Sequence, residues 1–274
     1  MFRSELQPGM PLYHFPRPTQ LQILQQRVEE NQQRRPQPQP LFVVQNVQAP
    51  SDAGNDRAEE VVLFMRRCYM TAGLFIVVTA WQWMILSYVL KQDSNYIIGG
   101  FISLVCSLAV LVVFTIFAQF RQNVAFSCIL GWLFVQTAAM GIVLMMPERS
   151  LEHICLTMLV ALAVLVFCYF LGAWVPKVVL PGEITVFLSL IFFMVMSIIL
   201  LTLFLVTDQP KYKTLFFLLL AVFLVPTSIY HSQITHGRRF PVPSKEYINF
   251  AVSVYVHFLM FFASIYYSMW AWQW

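Results

Sequence analysis

Seven apolar runs, each close to the ~20 residues that a helix needs to cross a hydrocarbon core of ~30 Å, decide what this chain can fold into. They are Tyr69–Leu90, Tyr96–Ala118, Val124–Met146, His153–Trp174, Ile184–Val206, Thr214–Thr235 and Tyr247–Trp270. None has the polar face that an amphipathic helix of a water-soluble protein keeps toward solvent. The connectors between them, such as KQDSN, PERSLE and HGRRFPVPSKE, are short and polar. The pattern predicts an all-α membrane protein, a bundle of seven transmembrane helices over residues 63–274. The composition agrees: 59% of residues are hydrophobic and 11% charged, against roughly 45–50% and about 25% in a soluble domain. Pro226 falls inside the sixth run, where a membrane bundle tolerates the kink or local loosening it predicts.

Residues 1–62 are a different material. The stretch Gln20 to Pro40 reads QLQILQQRVEENQQRRPQPQP. It has too few apolar residues to offset the entropy of ordering, so a disordered tail rich in proline and glutamine is expected. Its proline run also suits an SH3 or WW partner, although the strict PxxP arrangement with a basic neighbour is missing from PQPQP. A cleavable signal peptide is not expected ahead of the first run, which is expected to target the chain itself.

Lys and Arg set the expected orientation. With the tail inside, Arg3, Arg17, Arg27, Arg34, Arg35, Arg57, Arg66, Arg67, Arg121, Lys177, Arg238, Arg239 and Lys245 lie on the inner side. Lys91, Arg149, Lys211 and Lys213 lie on the outer side. The positive-inside rule then makes the N-terminus cytosolic. The C-terminus is lumenal or extracellular, where Trp270, Trp272 and Trp274 form an interfacial aromatic cluster with Tyr266 and Tyr267. The five cysteines show neither a CxxC pair nor a disulfide framework. Cys68 follows Arg66-Arg67 at the expected membrane edge, a setting that permits palmitoylation. No basic patch interleaved with aromatics points to nucleic acid.

Polar side chains inside the runs are the functional candidates: Gln82, Gln136, His231, Gln233, His257 and Asn249. His231 lies about 6 Å from the end of its run and His257 about 15 Å from the start of the next, at 1.5 Å per residue. The pair is a candidate for pH or ion gating, because imidazole titrates in the physiological range. No Ser-His-Asp, HExxH, GxSxG or phosphate-loop pattern appears, so no enzyme is expected and nothing calls for a cofactor. The alternative is a metal-dependent membrane hydrolase on His231, His257 and His153. A catalytic zinc needs three protein ligands and an open position, and His153 starts its run on the opposite side of the membrane.

The last two runs carry a resemblance. Tyr230-His231-Ser232-Gln233, then Gly237, then Glu246-Tyr247, then Tyr255-Val256-His257 resembles the Bax-inhibitor-1-like family, also called the transmembrane Bax inhibitor motif or lifeguard family. Its members typically read Tyr-Asp-Thr-Gln, a glycine four residues on, a Glu-Tyr pair, and Tyr-Leu-Asp after eight further residues. Arg66-Arg67-Cys68-Tyr69 is similar to that family's lead-in to its first helix, and the likeness spans roughly residues 60–270. It implies a seven-helix bundle of the endoplasmic reticulum, the Golgi or the plasma membrane. It also implies calcium leak, pH sensing and the suppression of cell death, with cell-death regulators as partners. The family's sensor is a pair of intramembrane aspartates, and the matching positions here are His231 and His257. Calcium prefers hard oxygen ligands, so a weakened or retuned leak is expected. A membrane scaffold acting through its tail is the other reading.

Overall fold

The computed structural model describes residues 51–89, 95–146, 150–176 and 179–270. Among these residues it is helices joined by short connectors, without strands. Eight α-helices run in order: α1 Ser51–Val89, α2 Asn95–Ile116, the short α3 Ala118–Gln122, α4 Val124–Met145, α5 Leu151–Trp174, α6 Glu183–Thr207, α7 Pro210–Thr235 and α8 Tyr247–Trp270. All but α3 are long and apolar enough to cross a membrane, which gives the seven expected spans. The tail up to Pro50 and the final residues from Ala271 lie outside the described residues, so the expected disorder, the proline-rich ligand and Trp272 and Trp274 fall there.

α1 starts ahead of the expected boundary at residue 62. From Ser51 it reads SDAGNDRAEEVV, with no proline after Pro50. Once the spanning part is helical, extending it backward adds one hydrogen bond per residue without a new nucleation cost. Local chemistry sets the other ends. Asn123 accepts from the Ala125 backbone N–H at 3.1 Å and caps α4. Pro176 follows the last turn of α5, and Pro210 opens α7, where its fixed φ and missing N–H cost nothing. Pro226 lies inside α7 without ending it.

α8 is the central helix and the most buried of the seven, packed against α1, α4, α5 and α7. Its rings fill the middle of the bundle. Phe262 lies 4.2 Å from Trp83 between ring centroids, and Trp83 donates from its indole N–H to the Ala139 carbonyl at 2.8 Å. That bond satisfies the one polar atom that an apolar core would otherwise leave costly. α6 is buried least and packs mainly on α7, where Phe193 stacks on Phe223 at 4.7 Å. Its outer face, with Phe187, Ile191 and Ile198, is exposed. In water such a face would aggregate; in lipid it costs nothing.

Cys68 and Cys168 are buried, and all five cysteines are free thiols. Cys68 is 0% exposed, so its thiol is not presented at the membrane edge as acylation would require.

Candidate functional site

Gly172 decides where α5 meets α7. A Cβ there would sit 2.6 Å from the Ile229 carbonyl oxygen and 2.6 Å from Ser232 Cβ. Only a residue without a side chain lets the two backbones approach so closely, as in small-residue membrane interfaces. The contact is locked by Ser232, whose hydroxyl donates to the Tyr169 carbonyl at 2.7 Å. Tyr169, three residues before Gly172, is on the same helix face, and its side chain therefore reaches across to α7 and α8.

There its hydroxyl lies 2.8 Å from His231 Nδ1 and 3.0 Å from His257 Nδ1. The two imidazole centroids are 5.2 Å apart. The structure thus brings together the two histidines singled out in the sequence, despite their unequal distances from their helix ends. A hydroxyl has one hydrogen and two lone pairs. With both rings neutral, Tyr169 donates to one Nδ1 and accepts from the other, which fixes one ring as the Nδ1–H tautomer and the other as Nε2–H. Phe250 packs against His231 at 5.7 Å, and Tyr69 meets Tyr169 edge-on at 6.1 Å.

A second polar group closes the bundle at the ends of α5 and α7. Arg238 donates from Nη1 to the carbonyls of Gly172 at 2.8 Å, Ala173 at 2.9 Å and Val175 at 2.8 Å. The guanidinium thereby satisfies carbonyls that a helix C-terminus leaves open and lies at the negative end of its dipole. Arg239 donates from Nε to Gln233 Oε1 at 2.6 Å and from Nη2 to the Pro181 carbonyl at 3.1 Å, and lies 5.2 Å over the Tyr230 ring. Gln233 also donates to the Pro181 carbonyl, at 3.3 Å. Gly237 has φ +64°. The Arg238 N–H donates to the Gln233 carbonyl and the Gly237 N–H to that of Ile234, the Schellman termination that glycine favours.

The motif residues therefore divide. Tyr230, Ser232, Gln233 and Gly237 build this end, beside His231. Glu246 lies 3.9 Å from Arg121 on α3, and Tyr247 begins α8. Tyr255 lies elsewhere: it faces α1, its hydroxyl 2.6 Å from Thr79 Oγ1. His153, in the first turn of α5, is sixteen residues from Tyr169, about 24 Å along the helix, so the three histidines do not meet. Among the described residues no group of three His, Cys, Asp or Glu is placed to share a metal ion.

Sequence reasoning missed Tyr169 and His236. Tyr69 lies 3.4 Å from His236 Nδ1. That nitrogen is 2.8 Å from the Ser232 carbonyl, which can only accept, so it carries the hydrogen. The fold and site define a seven-helix membrane bundle with a His–Tyr–His hydrogen-bond chain shared by three helices. Compared with protein-family models, with curated proteins and with solved structures, the chain matches none. The likeness in α7 and α8 rests on the residues quoted above.

Proposed function

We propose that this is a proton-responsive membrane protein that modulates ion homeostasis, calcium above all, and through it cell survival, with His231–Tyr169–His257 as its switch. The observation that carries the reading is one hydroxyl shared between imidazoles on two consecutive spans. Both rings neutral, the chain is complete. A proton added to the accepting histidine turns it into a donor. The Tyr169 oxygen then faces two N–H groups, and its own hydrogen loses its partner. A second proton places two cations at a 5.2 Å centroid separation in an apolar setting where charge is costly. Each step loosens α8 from α5 and α7.

The chemistry of the site also bears on calcium. Two imidazoles and a phenol offer little to a hard cation, so ion passage is controlled here rather than coordinated. The Lys/Arg distribution supports a cytosolic N-terminus, and the family likeness supports residence in the endoplasmic reticulum, the Golgi or the plasma membrane.

The test is calcium efflux from vesicles carrying the full chain, beside the same chain with His231→Asp and His257→Asp. The native chain is expected to leak several-fold more slowly near neutral pH. Equal or faster native efflux at matched protein content contradicts control by these positions, and no efflux from either protein favours the scaffold reading.

A further inference from the structure

A groove of about 470 Å³ runs between α1 and α5 and opens toward the bundle's outside. Gly73 and Ile76 form its α1 wall, and Val166, Phe170 and Trp174 its α5 wall. The surface is almost wholly apolar. Its polar residues are Tyr69, Tyr169 and His236, with Tyr69 near the start of the α1 span and His236 just past the end of α7. From Trp174 back to Leu162 the groove follows twelve residues of α5, about 18 Å. That is near half of the ~30 Å hydrocarbon core, the depth of one leaflet.

Two arginines of α1 stand just ahead of the groove-lining Tyr69. Arg66 precedes Tyr69 by three residues and Gly73 by seven, so all three share one face of α1. A helical Cα–Cβ bond tilts toward the helix N-terminus, which aims Arg66 out of the groove toward the headgroup level. Arg67 is beside it. Both are exposed, and neither has a carboxylate partner among the described residues. Trp174 is 76% exposed and stacks on Phe170 at 5.4 Å, a ring pair at the level where indoles sit in membranes.

From this placement we infer that the groove is a binding site for one acyl chain of an anionic phospholipid, drawn from the leaflet on the side of the α1 N-terminus, with its phosphate on Arg66 and Arg67. Apolar area alone would take any lipid. The two arginines over an open, leaflet-deep slot select the negative headgroup. Tyr169 also lines the slot, so the bound chain lies against the residue that joins the two histidines. The binding itself does not depend on any proton response.

Gly73 makes the inference testable, because a Cβ there meets nothing within 4 Å. The delipidated full-length protein is titrated with phosphatidylserine, phosphatidylcholine and oleate, and bound molecules are counted by native mass spectrometry. The native protein should retain one phosphatidylserine in clear preference to phosphatidylcholine. Gly73→Phe, which fills the slot, should lose it, and Gly73→Ala, which does not, should keep it. Arg66→Gln/Arg67→Gln should lower the preference for phosphatidylserine several-fold, given that a basic residue facing anionic lipid is worth about fivefold in binding. Equal retention of both phospholipids by the native chain, undiminished phosphatidylserine on Gly73→Phe, or oleate bound as tightly as phosphatidylserine overturns the assignment. None of these readouts involves pH or calcium flux, so their outcome is separate from that of the histidine switch.

Discussion

Gly172 and Ser232 touch almost backbone to backbone: a Cβ on the glycine would lie 2.6 Å from Ser232 Cβ and 2.8 Å from its hydroxyl oxygen. Everything at the site depends on this approach, because Tyr169 extends from the same face of α5 one turn earlier. Gly172→Ala should therefore separate α5 from α7 and destabilise the protein by about 1–3 kcal/mol, the usual cost of overpacking. Gly73→Ala is the matched contrast. It adds the same methyl group to a helix interior with open space around it, and should be neutral or stabilising by up to about 1 kcal/mol. Thermal unfolding of both variants in detergent checks the pair; equal loss from both would mean that helix packing at Gly172 is loose.

Tyr169→Phe keeps the ring and removes the shared hydroxyl. Both Nδ1 atoms then lose their partner. A buried polar group left unsatisfied costs about 1–3 kcal/mol. The variant should melt lower than the native protein, and a second substitution His231→Gln should cost less in the Tyr169→Phe background than alone. Fully additive losses would show that the hydroxyl and the histidine do not interact.

The end lock at Arg238 makes a separate prediction. Arg238→Gln removes a cation that donates to three carbonyls at the C-terminus of α5. Hydrogen exchange should speed up at the last turn of α5 while the Trp83–Phe262 core stays protected. Unchanged exchange at that turn would assign the capping of α5 to other groups.

The proposed orientation, argued from the Lys/Arg distribution, is open to a direct test. Protease added to sealed microsomes should remove the residues before Arg66 and spare a tag placed after Trp274. A protected tail with a cleaved tag would reverse the topology.

The spans were legible because a membrane leaves no choice: a backbone in hydrocarbon must satisfy its own hydrogen bonds, and a run of about 20 apolar residues does so only as a helix. His231 and His257 were legible for the same reason, as titratable side chains in apolar surroundings. Tyr169 was not. Tyrosine is ordinary near membrane interfaces, and no pattern within α5 marks this one. Its role comes from Gly172, and that glycine becomes informative only once Ser232 is known to face it. That His231 and His257 meet was not legible from residue counts, which give depth within a helix and not the offset between helices. Arg238 and Arg239 read as loop charges, and only the fold shows Arg238 bonded to the end of α5 and Arg239 to Gln233 and to Pro181 ahead of α6.

The most direct measurement of the switch is thermal stability from pH 8 to pH 5. The compared proteins are the native chain and His231→Gln/His257→Gln, which stays polar and does not titrate. With both rings neutral, the Tyr169 hydroxyl bonds His231 Nδ1 at 2.8 Å and His257 Nδ1 at 3.0 Å, and a proton added to the accepting ring turns it into a donor and breaks that bond. A second proton sets two cations at a 5.2 Å centroid separation among apolar neighbours, where charge is costly, so the hydrogen-bond chain stabilises the fold at neutral pH and is lost on acidification. The native melting temperature should decline on acidification while the double variant declines distinctly less; equal declines would contradict a proton switch at His231 and His257.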